Sequence, residues 1–287
     1  MKGVSMKVIN SVEEMCLFAE AKLAERNTIG LVPTMGALHD GHVALIRKAR
    51  KKSDIVVLSI FVNPIQFSNA DDLKNYPKTL KKDLKIAGEH NVDVVFAPSV
   101  NDFYPKDFST YVAEEKLSKG LCGKSRPGHF RGVTTVVAKL FNIVHPHIAF
   151  FGHKDAQQAL VIQKMVKDLC MNILIEVVST VRDPEGLALS SRNQLLSAKE
   201  REGALSISEA LFMAKVMAAG GETSVKKITQ RMKKIMTGAV KAKIDYVEIV
   251  DAQTLEKRTA LKGKMLVLVA AWFGGVRLID NIVIDAY

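Results

Sequence analysis

Apolar and polar positions along the chain fall into two regimes. Five short runs, at 28–32, 54–62, 92–97, 148–151 and 173–181, are nearly continuously apolar and rich in β-branched residues. Between them, apolar residues recur at helical spacing over 43–51, 78–89, 133–144 and 155–171. Strands covered on both faces lose the in-out alternation of a half-exposed sheet. The pattern therefore predicts an α/β fold, a Rossmann-like parallel sheet with helices on both faces and right-handed crossovers. After about Arg182 the regime changes. Two helical stretches, 198–218 and 223–239, precede three strand-like runs at 244–250, 265–273 and 276–284. Gly274-Gly275 between the last two is a hairpin signal. Two domains are expected: a Rossmann-like domain over 1–182 and a smaller C-terminal α+β domain over 183–287.

Composition narrows the class. With 287 residues, 48% hydrophobic and 25% charged, this is an ordinary globular chain long enough for two cores. No stretch approaches the roughly 20 apolar residues of a membrane span. Residues 1–10 lack the apolar core of a secretory signal, so a cytoplasmic protein is expected. Cys16, Cys122 and Cys170 are odd in number and far apart, which fits reduced thiols better than disulfides or a zinc site. The net charge of +11 is spread out, except for a basic helix face through Lys226, Lys227, Arg231, Lys233 and Lys234. Aromatic residues make up only 6% of the chain and none lies in that run, so it reads as a solvated face. A diffuse positive field suits small anionic substrates.

Candidate chemistry concentrates where apolar runs end. Pro33-Thr34-Met35-Gly36-Ala37-Leu38-His39-Asp40-Gly41-His42 follows one such run and opens a helix. Strand, glycine turn and helix start together are expected to bare backbone N–H groups to a phosphate. His39 and His42 can donate hydrogen bonds to phosphate oxygens as charge grows during displacement at phosphorus. Asn63-Pro64-Ile65-Gln66 ends the next run, where a parallel sheet reads polar ligands, making Asn63 and Gln66 substrate candidates. Lys124 to Val133 sets Arg126, Arg131 and two glycines before a helix, and either arginine could clamp a carboxylate or phosphate. Gly152-His153-Lys154-Asp155 opens another helix, with Lys154 as a compact charge for phosphates. Gln157 and Gln158 diverge there, so at most one faces a site. Finally, Val181 leads into Gly186-Leu187-Ala188-Leu189-Ser190-Ser191-Arg192-Asn193, where two hydroxyls and a guanidinium could wrap phosphates and the loop could close over them.

Taken in order, these segments resemble the pantoate–β-alanine ligase family of adenylate-forming nucleotidyltransferases. The matching stretches are Pro-Thr-Met-Gly-Ala-Leu-His-x-Gly-His at 33–42, Phe-Val-Asn-Pro-x-Gln-Phe at 61–67 and Tyr76-Pro77-Lys78-Thr79. Three more are Arg-Pro-Gly-His-Phe-Arg-Gly-Val at 126–133, Phe-Gly-x-Lys-Asp at 151–155 and Gly-Leu-Ala-x-Ser-Ser-Arg-Asn at 186–193. The resemblance implies condensation of (R)-pantoate with β-alanine through pantoyl adenylate, with ATP as substrate, Mg²⁺ as cofactor, and a homodimer. It also implies that Met35, Gly36, Ala37, Leu38, His39, Asp40, Gly41 and His42 hold ATP, with His42 as proton donor. Gln66 would contact pantoate and β-alanine, and Gln158 pantoate. Gly152, His153, Lys154, Asp155, Val181, Leu189, Ser190, Ser191 and Arg192 would complete the nucleotide site, with Lys154, Ser190, Ser191 and Arg192 on phosphates. No residue is assigned as a metal ligand. Three positions depart from the family pattern: His153 stands where Glu or Gln is usual, Leu189 where Met is common, and Glu185 where Asp is usual. Two other readings are weighed against this one. One is a His-x-Gly-His nucleotidyltransferase that leaves AMP on a small cofactor precursor; the other is a non-enzymatic RNA-binding relative, suggested by a pI near 9.5.

Overall fold

The computed structural model describes residues 6–238 and 242–286. Residues 1–5 of the stretch read for a secretory signal, and Ala239 at the end of the second C-terminal helix, lie outside the described residues. Two compact units emerge: the chain up to His153 with Gln157–Ser179, and Lys154–Ala156 with Thr180–Tyr287. This division differs from the expected 182/183 boundary at two places. Residues 180–182 join the second unit because Arg182 pairs with Asp280 and bridges to Ala188. Lys154–Ala156 joins it too, since Asn281 holds the Lys154 carbonyl.

In the first unit six parallel strands, β1 (Lys7–Ile9), β2 (Ile29–Thr34), β3 (Ile55–Ile60), β4 (Val94–Phe96), β5 (Ile148–Gly152) and β6 (Leu174–Val178), lie in the order β1-β4-β3-β2-β5-β6. The helices between them are α1 (Val12–Ala24), α2 (Asp40–Lys52), α3 (Ala70–Lys74), α4 (Leu80–Glu89), α5 (Val100–Phe103), α6 (Cys122–Ser125), α7 (His129–Val144) and α8 (Ala156–Asp168). Alternate strand residues divide between two cores, as the period of two requires. Leu31, Val57, Val94, Phe96 and Phe151 pack with Met15 of α1, Phe141 of α7 and Ile162 of α8. Val32, Val56, Leu58, Val95 and Phe150 pack on the other face with Ile46 of α2 and Ala87 of α4. Both faces are covered, which is why these runs show no polar alternation.

Strand order reverses at β2, which has β3 on one side and β5 on the other. Such a switch point opens a crevice beyond the carboxyl ends of the two strands. Gly30 pairs with Ile148 and Leu31 with Ala149. Continued along the strands, that register sets the end of β2 level with Gly152. A Cβ at Gly152 would meet nothing within 4 Å, so the end of β5 has open space beside it.

Five elements of this unit, β1, α1 and the short helices α3, α5 and α6, have no counterpart in the hydrophobic pattern. β1 is only three residues long. α1 scatters its apolar residues around the helix, burying Met15 and Ala19 while Leu17 remains 60% exposed. Its start was nonetheless signalled, because Ser11 caps the helix by accepting from the Glu14 amide.

The second unit is an antiparallel sheet of β7 (Ala242–Asp251), β8 (Gly263–Phe273) and β9 (Val276–Ala286), in that order, with α9 (Ala198–Ala219) and α10 (Val225–Gly238). Ile207 and Leu211 of α9 and Ile228, Met232 and Met236 of α10 join Val267, Val269 and Leu278 in one core. The α10 core residues recur every four positions, which leaves Lys226, Lys227, Arg231, Lys233 and Lys234 exposed. Phe273 pairs with Val276 across Gly274-Gly275, and the φ of +58° at Gly274 is the glycine-favouring conformation this hairpin needs. Among the described residues no helix is long and apolar enough to cross a membrane, and all three cysteines are free.

Candidate active site

β2 delivers the chain into the histidine loop at Thr34, whose hydroxyl donates to the Ser59 carbonyl and accepts from the Gly36 amide. Gly36 and Ala37 then take left-handed φ of +80° and +51°. This turn aims the amides of Ala37 and Leu38 at Asp83 of α4, at 3.0 and 2.8 Å. Asp83 is only 1% exposed and also accepts from the Thr79 hydroxyl. The expectation of a bared run of amides is therefore corrected. The amides of Gly36, Ala37, Leu38, His39, Gly41 and His42 all donate to groups of the protein itself. A carboxylate 45 residues downstream had no way to announce itself in the local pattern.

What the loop offers instead is its two imidazoles. His39 is the N-cap of α2, and its Nδ1 accepts from the Gly41 amide at 3.1 Å. His42 Nδ1 accepts from the His39 amide at 3.3 Å, completing a capping box built from histidines. The rings lie 4.1 Å apart, tilted by 39°. Because both Nδ1 atoms spend their lone pairs on N–H groups, each neutral ring carries its proton on Nε2. The pair therefore presents Nε2–H donors in one tautomer. Asp40 is exposed at the start of the same helix, and Met35 is half-buried before the turn.

A second network fixes Gln66. Asn63 is 1% exposed, and its amide donates to Gln66 Oε1 and to the Gly132 carbonyl, both at 3.0 Å. Its Oδ1 accepts from Tyr104 Oη at 2.9 Å. Burial pushes the Tyr104 phenol above its usual range, which keeps it a donor. With both N–H groups spent on Gln66 and Gly132, Asn63 orients Gln66. Gln66 is turned so that Nε2 points away from Asn63 toward Met35 Sδ at 3.0 Å. A thioether is a weak acceptor that a ligand oxygen outcompetes.

The same turn explains a residue the motif quoted without a role. His129 Nδ1 meets the Gln66 carbonyl at 2.8 Å, and its Nε2 meets Arg126 NH1 at 3.3 Å. A carbonyl only accepts and a guanidinium only donates, so His129 is the Nδ1–H tautomer and orients Arg126. Arg131 lies over the Tyr111 ring at 4.4 Å. Gly132 lets α7 approach the turn: a Cβ there would lie 2.5 Å from the Ile65 carbonyl and 2.6 Å from Gln66 Cα. Gln157 is buried and committed to the carbonyls of Leu117 and Gly120 and the amide of Cys122, whereas Gln158 and His153 are half-buried. That leaves Gln158 as the one of the two able to face a ligand.

Lys154, Asp155, Val181 and Leu189 to Arg192 belong to the second unit. Lys154 and Asp155 occupy a 3-10 turn ahead of α8 instead of opening the helix itself, with Nζ 3.6 Å from Oδ1. Leu189 donates its amide to the Val181 carbonyl, which closes 182–188 into a loop. Asp183 accepts from the amides of Glu185 and Leu187 and pairs with Arg201. Burial acts to raise its pKa, but Arg201 and the Leu187 amide outweigh it and hold the carboxyl below its usual range. Ser190 caps the following 3-10 turn by accepting from the Arg192 amide, and Ser191 is buried. Among the described residues, no group of three or more His, Cys, Asp or Glu side chains could hold a metal ion.

The family model described as pantoate-beta-alanine ligase matches residues 7–283. The chain belongs to this family. It is 53% identical over 279 residues to the pantothenate synthetase of Thermotoga petrophila, covering 97% of this chain and 100% of the relative. The pantothenate synthetase of Acetivibrio thermocellus is 50% identical over 280 residues, with 98% and 100% covered. The crystal structure of the Thermus thermophilus pantothenate synthetase superposes with a TM-score of 0.92 at 40% identity, over 96% of this chain and 99% of that one. The Francisella tularensis pantoate-beta-alanine ligase, solved in complex with beta-gamma ATP and beta-alanine, gives 0.81 at 36% identity, over 97% of each chain. The family fold, a parallel layer and a small antiparallel sheet, is the one described above.

Gly132→Ala separates two effects of opposite sign. Alanine favours a helix by about 0.8–1.0 kcal/mol over glycine, whereas forcing a methyl against two backbone atoms costs roughly 1–3 kcal/mol or more. Net destabilisation is expected in urea unfolding; a gain in stability would show that the turn carrying Gln66 yields freely.

Proposed function

We propose that this protein is a pantoate–β-alanine ligase that converts ATP to AMP and pyrophosphate. One observation supports the reading most directly: the Asn63-locked amide of Gln66 points at Met35, the residue entering the histidine loop. A donor suited to an acid or hydroxyl thus lies beside donors suited to a phosphate. A pantoate carboxylate oxygen attacks the α-phosphorus, the bond to pyrophosphate breaks, and pantoyl adenylate forms. The amine of β-alanine then attacks the acyl carbon, loses a proton, and AMP departs with the C–O electron pair. No covalent nucleophile of the protein is required, only positioning and charge stabilisation.

In this reading His39 and His42 donate Nε2–H to the α-phosphate oxygens, and His42 serves the leaving group. Met35 to His42, Gly152, His153, Asp155, Val181 and Leu189 line the nucleotide. Lys154, Ser190, Ser191 and Arg192 contact phosphates. Gln66 and Gln158 hold pantoate, Gln66 also meets β-alanine, and Arg126 pairs with a carboxylate. Mg²⁺ would accompany the triphosphate, where it would neutralise phosphate charge. The family resemblance supports a homodimer, and the free cysteines accord with the cytoplasm. The full-length family match does not favour the alternative transferase that leaves AMP on its product. The solvated basic face of α10 gives an RNA-binding reading no support.

A substrate-omission assay tests the reaction class. AMP release is expected to require pantoate and β-alanine together, and an adenylylated product formed without amine would overturn the ligase reading. His42→Ala is expected to cost adenylation about 2.7–4 kcal/mol, or roughly 10²–10³ in rate; an unchanged rate removes His42 from the chemistry. Gln66→Ala should raise the KM for pantoate more than that for ATP, and an equal rise in both contradicts its role.

A further inference from the structure

β9 supplies no motif residue, yet the second unit's phosphate candidates are held at its middle. Asp280 and Asn281 are adjacent, so their side chains leave opposite faces of the strand. They are only 4% and 3% exposed. Beside Leu278, Ile282 and Ile284, two buried polar side chains destabilise the sheet unless each is paired. Each is paired to one of the phosphate segments. Asn281 Nδ2 donates to the Lys154 carbonyl at 2.8 Å. Asp280 accepts from both terminal nitrogens of Arg182, at 2.5 and 3.0 Å, and Arg182 also donates to the Gly186 carbonyl at 3.0 Å. Backbone pairing of Leu189 with Val181 and the bond from Asn193 Nδ2 to the Ala188 carbonyl carry that anchorage to Ser190, Ser191 and Arg192.

We infer that Asp280 and Asn281 are positioning residues for phosphate binding, fixing Lys154 and the Ser190–Arg192 segment to one strand as a single body. The inference rests on the proposed phosphate roles of those four residues. An ammonium is a point charge on a flexible stem, so its reach is set by where the main chain is held. Asn281 does this for Lys154 without touching the ligand. Asp280 does it for the loop through a bidentate arginine, the geometry that fixes orientation as well as distance. Local strand stability does not explain the pair, because a strand packs better with apolar side chains at both positions.

Pantoate-dependent exchange of pyrophosphate into ATP by the full chain provides the test. Asn281→Ala should slow exchange roughly tenfold to a hundredfold, with the KM for pantoate changed by less than about twofold. Asn281→Leu, which keeps the volume and removes the donor, should behave alike and guards against a folding failure of the alanine variant. On a Lys154→Ala background, Asn281→Ala should cost nothing further, because Asn281 acts through Lys154. Asp245→Asn removes the partner of Arg277 in the same sheet, remote from the phosphate segments by sequence and pairing, and should leave exchange intact. Wild-type exchange by both Asn281 variants overturns the inference, as does a loss that adds fully to that of Lys154→Ala or is shared by Asp245→Asn. No exchange by the unaltered protein overturns the ligase reading itself, a result distinct from any of these.

Discussion

The carboxylate of Asp83 is the constraint on which the conformation of the histidine loop depends. It accepts the amides of Ala37 and Leu38 while almost completely buried. Placing Ala37 in the left-handed region costs about 1–2 kcal/mol. Hydrogen bonds to a charged group contribute about 1.5–3 kcal/mol each, so two of them outweigh that strain. The turn amides are satisfied internally, and His39 and His42 are locked by their caps into the Nε2–H form. Helix capping thus sets one tautomer for both rings.

A buried polar network in this fold fixes the orientation of particular side chains. Tyr104, Asn63, Gln66, His129 and Arg126 form one continuous chain, and every link has a single allowed donor direction. His129 ends up as the opposite tautomer from His39 and His42, because a carbonyl and a guanidinium face it instead of two amides. Partly satisfied networks of this kind would cost more than an apolar core. Here they specify which face of an amide and which nitrogen of a ring is offered outward.

Much of this was legible in the chain. Five apolar runs, the helices between them and the change of regime near Arg182 depend on local periodicity, and the structure has those elements within a few residues of their expected ends. The motifs at 33–42, 61–67, 126–133, 151–155 and 186–193 identified the family. What stayed hidden is whatever depends on distant partners. Asp83 looks like any polar residue of a helix, Gly132 like a weak helix former, and Asn281 like an exposed strand position. Asn63 drew attention for the right reason, its place at a strand end, but its amide turns inward. α1 escaped because its apolar residues lack a single face, although its capping serine was readable.

The tether between Asn281 and Lys154 spans 127 residues of sequence and closes only after β9 exists. During synthesis on a ribosome, the parallel sheet and its histidine loop emerge long before the strand that secures the lysine. A nascent chain can then complete the turn at 33–42 while Lys154 still lacks its Asn281 tether. On the proposed phosphate roles, the position of Lys154 is thus secured from the far end of the sequence, by a strand of the antiparallel sheet.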